Sequence, residues 1–324
     1  MTLPEVIMPY SQASMAMELL AAGEPLVRLA EGDLVVYLNR IDVRTRNASS
    51  QAAGNMLPSC EVIPSQLSTP TYLMRVRAEY DHHDAAALAR RNISIVEAQR
   101  LAMHQAHNQQ ARIAELYGFN PANGEGLINT NGATAVTLPP DSFNNTTART
   151  YDNGQMAFYL ASQVLGIKQR SFQLGRGKKI VIIGPQRIMG LFEYNVVQLT
   201  EFQRSGAGVT STAGTLKDVM GWSGDELIWG YDDTLIGQGA GGNDAIIMCM
   251  PEVENPQMAK WNTNIFAQLM PGLAANTMML CDMAAPREIT VPLAGGATDT
   301  LSEMRITSGW GVRPETITII SMPY

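Results

Sequence analysis

Residues 94–118 read SIVEAQRLAMHQAHNQQARIAELYG, and this stretch decides the fold. Ser94 and Glu97 stand in capping-box register: the serine oxygen takes the amide three positions on, and the glutamate reaches back. No proline or glycine intervenes until Gly118, which is placed as a left-handed stop. A helix from Ile95 to Tyr117 is about 35 Å long, more than a globular helix usually needs. One face carries Ile95, Ala98, Ala102, Ala106 and Ile113; the other carries Gln99, Arg100, Gln105, Gln109 and Gln110. The expectation is a strut with a narrow, alanine-rich apolar stripe.

Upstream of the strut the chain is extended. Leu34 to Leu38 reads as a short strand. Residues 43–72, VRTRNASSQAAGNMLPSCEVIPSQLSTPTY, carry Pro58, Pro64 and Pro70 and no helical period. A structureless run of that length is improbable inside a compact domain. Met56, Leu57, Val62, Ile63 and Leu67 want cover. Two readings remain: a long two-stranded ribbon lying on a neighbouring molecule, or an ordinary loop with a short hairpin. Before it, Ser14 to Ala22 forms an amphipathic turn with too small an apolar face (Met15, Leu19, Ala22) to make a core alone.

Downstream, residues 118–150 are loop-rich. Asp152 is placed to cap a helix from Asn153 to Leu165, closed by Gly166. A strand from Lys179 to Ile183 runs into Gly184-Pro185 and a short helix, Arg187 to Phe192. Residues 204–244 are glycine-rich, with a helix near Thr215 to Met220. Strands are expected at Asp244 to Met250, Thr277 to Asp282, Arg287 to Leu293, Thr300 to Ile306 and Glu315 to Met322. With no sustained βαβα alternation and no internal repeat, the class is α+β.

Composition bounds the function. The 324 residues are 45% hydrophobic, so disorder is excluded as the general state. No stretch approaches the ~20 apolar residues of a membrane span. Net charge is −7 and the sequence pI about 5.2, which disfavours free attraction to DNA or anionic lipid. Charged residues are only 16%, against about 25% for an ordinary soluble domain. The lysines are just Lys168, Lys178, Lys179, Lys217 and Lys260. So sparse a charged surface fits a chain that hides much of itself against copies of itself. The opening residues show no basic or continuous apolar targeting segment. Asn47 and Asn92 are therefore expected to be chance glycosylation matches in a cytoplasmic product.

Catalytic patterns are weighed and set aside. Gly237-Gln-Gly-Ala-Gly-Gly242 matches a dinucleotide fingerprint on paper, but Asn243 to Met250 reads as a strand where a helix is needed. Gly175-Arg-Gly-Lys-Lys179 lacks the phosphate-loop register and reads as a basic turn. His104 and His107 share a helix face without a carboxylate partner, and His82-His83 on a strand would point to opposite sides. Cys60, Cys249 and Cys281 have no CxxC spacing, and the last two read as buried small hydrophobes. Asp232-Asp233 reads as a solvated turn pair. Trp222, Trp229, Trp261 and Trp310 read as packing or contact residues. No catalytic, cofactor-binding or metal-ligating residue is expected, and no cofactor.

The order of segments resembles the major capsid proteins of tailed phages, whose fold is the Hong Kong 97 type shared with encapsulins. The residues carrying the resemblance are Leu57-Pro58 through Tyr80, the spine from Ile95 to Gly118, and Gly126-Leu-Ile-Asn129, where such proteins often place a Gly-Leu-Leu-Asn-like turn. YDNGQMAFYLASQVL at 151–165, followed by KKIVIIGP at 178–185, looks like the family's peripheral-domain helix and strand. The resemblance implies an N-terminal arm (1–35), an extended loop (36–75), a peripheral domain with the spine helix (76–182), an axial domain (183–285) and C-terminal strands returning to the peripheral domain (286–324). The loop at 237–242 and the Trp222 region become candidate axial loops.

It further implies a coat protein that self-assembles into pentamers and hexamers of an icosahedral phage head enclosing double-stranded DNA. Assembly is then in the bacterial host cytoplasm and the final location is the virion capsid. The implied partners are the protein itself, a separate scaffolding protein, a portal protein and a decoration or cement protein. DNA is enclosed without sequence-specific binding, and no membrane is involved. Some family members weld subunits by a lysine–asparagine isopeptide bond from the extended loop. Residues 1–167 hold no lysine, so that chemistry is not expected here. The alternatives are an encapsulin-type shell, a nucleotide-using enzyme built on the 237–242 loop, or another virion part such as a tail protein.

Overall fold

The computed structural model describes residues 28–44, 61–90, 94–171, 177–194, 196–197, 210–222, 224–253, 277–293 and 296–324. In chain order the elements are β1 (Val35–Arg44), β2 (Glu61–Tyr80), α1 (His82–Ala89), α2 (Ile95–Leu116), β3 (Thr134–Thr137), α3 (Asn153–Arg170), β4 (Lys179–Gly184), α4 (Gln186–Tyr194), β5 (Val196–Val197), β6 (Thr210–Ser211), α5 (Thr212–Trp222), β7 (Glu226–Tyr231), β8 (Asp244–Cys249), β9 (Met278–Met279), β10 (Arg287–Pro292), β11 (Thr298–Thr307), β12 (Trp310–Gly311) and β13 (Ile317–Met322). The expected amphipathic turn at 14–22 and the ribbon's far end at 45–60 lie outside the described residues.

Five strands form a mixed central sheet in the order β3-β13-β8-β4-β7. Its inner strands read IVII, DAIIMC and ITIISM, near-continuous apolar runs rather than alternating ones. Such runs mark strands covered on both faces. Side chains alternate across the pleat. Ile180, Ile182, Ile246, Met248, Ile320 and Met322 pack on one side against α3 (Leu160, Val164, Ile167), α4 (Ile188, Met189, Phe192) and α5 (Leu216). Val181, Ile183, Ile247, Cys249, Ile317 and Ile319 pack on the other, with Leu116, Leu127, Leu235 and Met278. The sheet takes strands from segments that the sequence reading divided at 182/183 and 285/286.

A second sheet has the order β1-β2-β11-β10, all antiparallel. Its middle strand, β2, spans two roles. Residues 71–80 pair with β11 from Thr307 to Thr298, and residues 61–70 pair with β1 from Arg44 to Val35. The β1–β2 half is the two-stranded ribbon, ten pairs and about 33 Å long. Helix α2, the spine, lies on β2 and β11 around Met74, Ala111, Leu280 and Ile306.

The spine begins as expected: Ser94 Oγ accepts the Glu97 amide at 3.4 Å, and Gly118 has φ +70°. Its contact stripe differs. The buried residues are Met103, His107, Ala111, Ala114, Glu115 and Leu116, whereas Ala98, Ala102 and Ile113 are exposed. The helix is turned by about one residue, some 100°, from the alanine-rich face. The sheet offers His107 a polar partner, Ser302 Oγ at 3.0 Å from Nε2, so a polar residue occupies the line. Two other expectations change. Helix α3 passes through Gly166 to Arg170, because burying Ile167 and pairing Lys168 with Asp225 at 2.5 Å outweigh a glycine's cost of about 1 kcal/mol. Strand β7 was not anticipated within the glycine-rich region; as an edge strand it is only half covered.

Candidate functional site

The C-terminal end of the spine is tied by backbone. A helix leaves its last carbonyls without intrahelical donors. Here Ala114 O accepts from Gly309 N (2.8 Å), Glu115 O from Leu127 N (2.9 Å) and Leu116 O from Ile128 N (3.1 Å). Asn129 Nδ2 donates to Tyr117 O at 2.9 Å. The Gly126–Asn129 turn is thus the cap of the spine, which gives the quoted motif its physical meaning. Gly126 has φ +86°, and a Cβ there would lie 2.3 Å from the Tyr117 carbonyl carbon. A Cβ at Gly309 would lie 2.4 Å from Glu115 O.

Beside the cap, buried Glu125 gathers the ribbon root and the strand end. Its carboxyl accepts from Tyr72 Oη (2.9 and 3.0 Å), Asn120 N (3.0 Å) and Ser308 Oγ (2.7 Å). Burial, then the hydrogen bond and charge of Glu125, push the Tyr72 hydroxyl up to about 12. The Tyr72 ring also packs on Phe119, centroids 4.7 Å apart. The ribbon root is thus bonded directly to the segment beside the end of the spine.

Glu115 is different. It is fully buried, and neither carboxyl oxygen has a hydrogen-bond partner among the described residues. Burial, reinforced by the Asp232 charge, raises it to about 8. Asp232 belongs to the turn after β7, where it accepts from Thr234 N (3.0 Å) and Thr234 Oγ1 (2.6 Å). It is buried rather than solvated as the sequence suggested. Tyr117 Oη donates to Thr234 O at 2.7 Å, so the same turn is pinned to the spine.

The outer surfaces carry apolar groups that the described residues leave exposed. No described side chain from Val35 to Asn39 or Ile63 to Ser68 is buried. Tyr37 is 61% exposed, Phe158 76% and Tyr194 83%; Leu34, Phe143 and Leu165 are exposed too. Phe158 and Leu165 lie seven residues apart, on one line of α3. The arrangement can hold other surfaces. Gly237–Gly242 forms a short turn that enters β8, with no helix behind it to meet a pyrophosphate. Gly177, in the basic turn, has φ +74° and leads into β4; Gly175 lies outside the described residues. The His107–Ser302 pair superficially resembles a base and nucleophile. Both are buried, and His107 Nδ1, where an orienting acid would bind, has no partner among the described residues. Burial, then His104, lowers the His107 pKa, as suits a packed neutral imidazole.

Cys249 and Cys281 are buried, and burial raises the Cys249 thiol. Trp310 is buried and Trp229 half-buried against the core, while Trp261 and Cys60 lie outside the described residues. His82 and His83 overturn their expected placement. They open helix α1 behind Asp81, and their rings touch at a tilt of 39° with centroids 3.9 Å apart. Sequence reasoning missed Tyr72, Glu115, Glu125 and Gly309. The signal for Glu115 was its place within Ile113-Ala-Glu-Leu116, at the buried end of the helix.

No family model and no curated protein matches the sequence. Solved structures do. The capsid of Myoviridae phage XM1 superposes with a TM-score of 0.70, at 11% identity over 98% of this chain and 95% of that chain. The capsid of the empty GTA particle gives 0.60, at 10% identity over 100% and 95%. The capsid of cyanophage P-SCSP1u gives 0.57, at 10% identity over 99% and 92%. Arm-side ribbon, spine and central sheet are all inside these matches, and the chain has the α+β fold of tailed-phage capsid proteins.

Proposed function

We propose that the chain is a major capsid protein that self-assembles, as pentamers and hexamers, into an icosahedral head around double-stranded DNA. The observation that carries this is the ribbon. A ribbon of ten strand pairs, in which no described side chain from Val35 to Asn39 or Ile63 to Ser68 is buried, stands on a fold matched over nearly the whole chain by capsid subunits. An isolated two-stranded hairpin is marginal in water. Laid on a neighbour, it buries area without enlarging its own core. Many such contacts, each weak enough to break, sum to a stable particle.

In this reading the spine and the β2–β11–β10 sheet serve the peripheral role. The central sheet, with its helices, serves the axial role and presents the 237–242 turn near the capsomer axis; this moves the 151–165 helix, the 178–185 strand and the last strand out of the peripheral role that the resemblance implied for them. Scaffold, portal and cement partners, and assembly in the host cytoplasm, belong to the same proposal. The encapsulin-type alternative differs in forming shells without a scaffold. Expression of the chain alone and with a scaffold, followed by electron microscopy, tests both. Closed shells support a coat protein, and a scaffold requirement selects the phage reading. Only monomers under both conditions overturn it.

A further inference from the structure

Asp81, His82 and His83 bring three donor groups together at the junction of β2 and α1. One ligand atom from each lies within 4.8 Å of the other two. Asp81 Oδ1 and His82 Nδ1 are already 2.6 Å apart. Two donors on one ion, each about 2.1 Å from it, stand roughly 3.3 Å apart. Only small rotations of exposed side chains therefore separate the present arrangement from a chelate. The backbone holds the trio in place. Asp81 caps α1, and the Gly296 turn between β10 and β11 lies so close that a Cβ there would be 3.0 Å from His82 Nδ1.

We propose that Asp81, His82 and His83 form a binding site for a borderline divalent transition-metal ion such as Zn2+ or Cu2+. Two imidazoles and one carboxylate suit that class; Mg2+ and Ca2+, which prefer shells of oxygen, are not selected. Water or a group from a neighbouring molecule completes the shell. The bound ion clamps the first turn of α1 to its cap, at the point where the chain leaves β2 for the helix that precedes the spine. This site is independent of the capsid reading.

The test uses the full-length chain, stripped with a chelator and dialysed. Zn2+ titration is followed by calorimetry, and Cu2+ loading by electron paramagnetic resonance. Expected are one saturable Zn2+ site per chain in the micromolar range and a Cu2+ spectrum with two nitrogen couplings. His83→Ala and His82→Ala each weaken Zn2+ binding roughly tenfold or more, whereas His104→Ala leaves it unchanged. Mg2+ gives no heat. Absence of saturable Zn2+ binding overturns the assignment. So does Zn2+ affinity in His83→Ala and His82→Ala equal to that of the parent, once circular dichroism shows the variants folded.

Discussion

Tyr72 and Glu125, 53 positions apart, meet through two oxygens: the tyrosine hydroxyl lies 2.9 and 3.0 Å from the two carboxyl oxygens. Tyr72 is where β2 passes from ribbon to sheet, and Glu125 sits beside the cap of the spine. The contact joins the ribbon's root to the segment that follows the helix. Tyr72→Phe keeps the ring on Phe119 but removes the donor. It is expected to cost about 1–2 kcal/mol in denaturant unfolding. Glu125→Ala, which orphans Tyr72, Ser308 and the Asn120 amide together, is expected to cost more.

The spine cap tolerates no side chain at Gly126. Its φ of +86° and the 2.3 Å approach to Tyr117 require glycine. Gly126→Ala is expected to destabilise the fold by about 3 kcal/mol or more, seen as insoluble expression or a large fall in midpoint. Gly32→Ala, where nothing lies within 4 Å of the added carbon, is the matched control and is expected to be near neutral.

Glu115 sets a pH dependence with a definite sign. Its folded value, about 8, lies above its ordinary 4.5. Its protonated form is the one the core accepts. The associated stability is whole below pH 4.5 and is lost as pH rises through about 8. Glu115→Gln cannot ionise. Thermal melts from pH 5 to roughly 9 are expected to show a fall for the parent and a flatter line for the variant, with the variant the more stable at the alkaline end. A parent curve that stays flat across that range contradicts the buried-acid account.

Much of this was legible in residues, and the pattern of success has causes. The spine was readable because its start and stop are local: a serine three before a glutamate, and a glycine at the end. The both-faces-buried strands were readable from IVII and AIIMCM. The spine's contact stripe was not, because a distant residue, Ser302, makes His107 acceptable there. Helix α3 overran Gly166 for the same reason, a pairing of Lys168 with Asp225 across 57 positions. Asp232 reads as a surface turn in sequence, and only the fold places it over the end of the spine. His82-His83 was misread because β2 ends at Tyr80, before the pair, and Asp81 caps a helix that brings the two rings into contact.

Subunit welding through lysine is not expected. The ribbon holds none, and Lys168, the lysine nearest the spine in sequence, is buried against Asp225. Assembled material boiled in detergent is expected to run as one band near 35.2 kDa. A ladder of dimers and higher multimers resistant to reducing agent runs against this.

The most direct measurement compares the parent with Tyr37→Ser, a change on the open face of the ribbon that touches no core cluster. Sedimentation velocity and negative-stain microscopy of both, expressed under the same assembly conditions, read the state of each. The account predicts closed shells from the parent, a marked loss of shells from the variant, and unchanged melting of the variant's unassembled subunit. A parent that sediments only as monomer, or a variant that assembles as well as the parent, contradicts it.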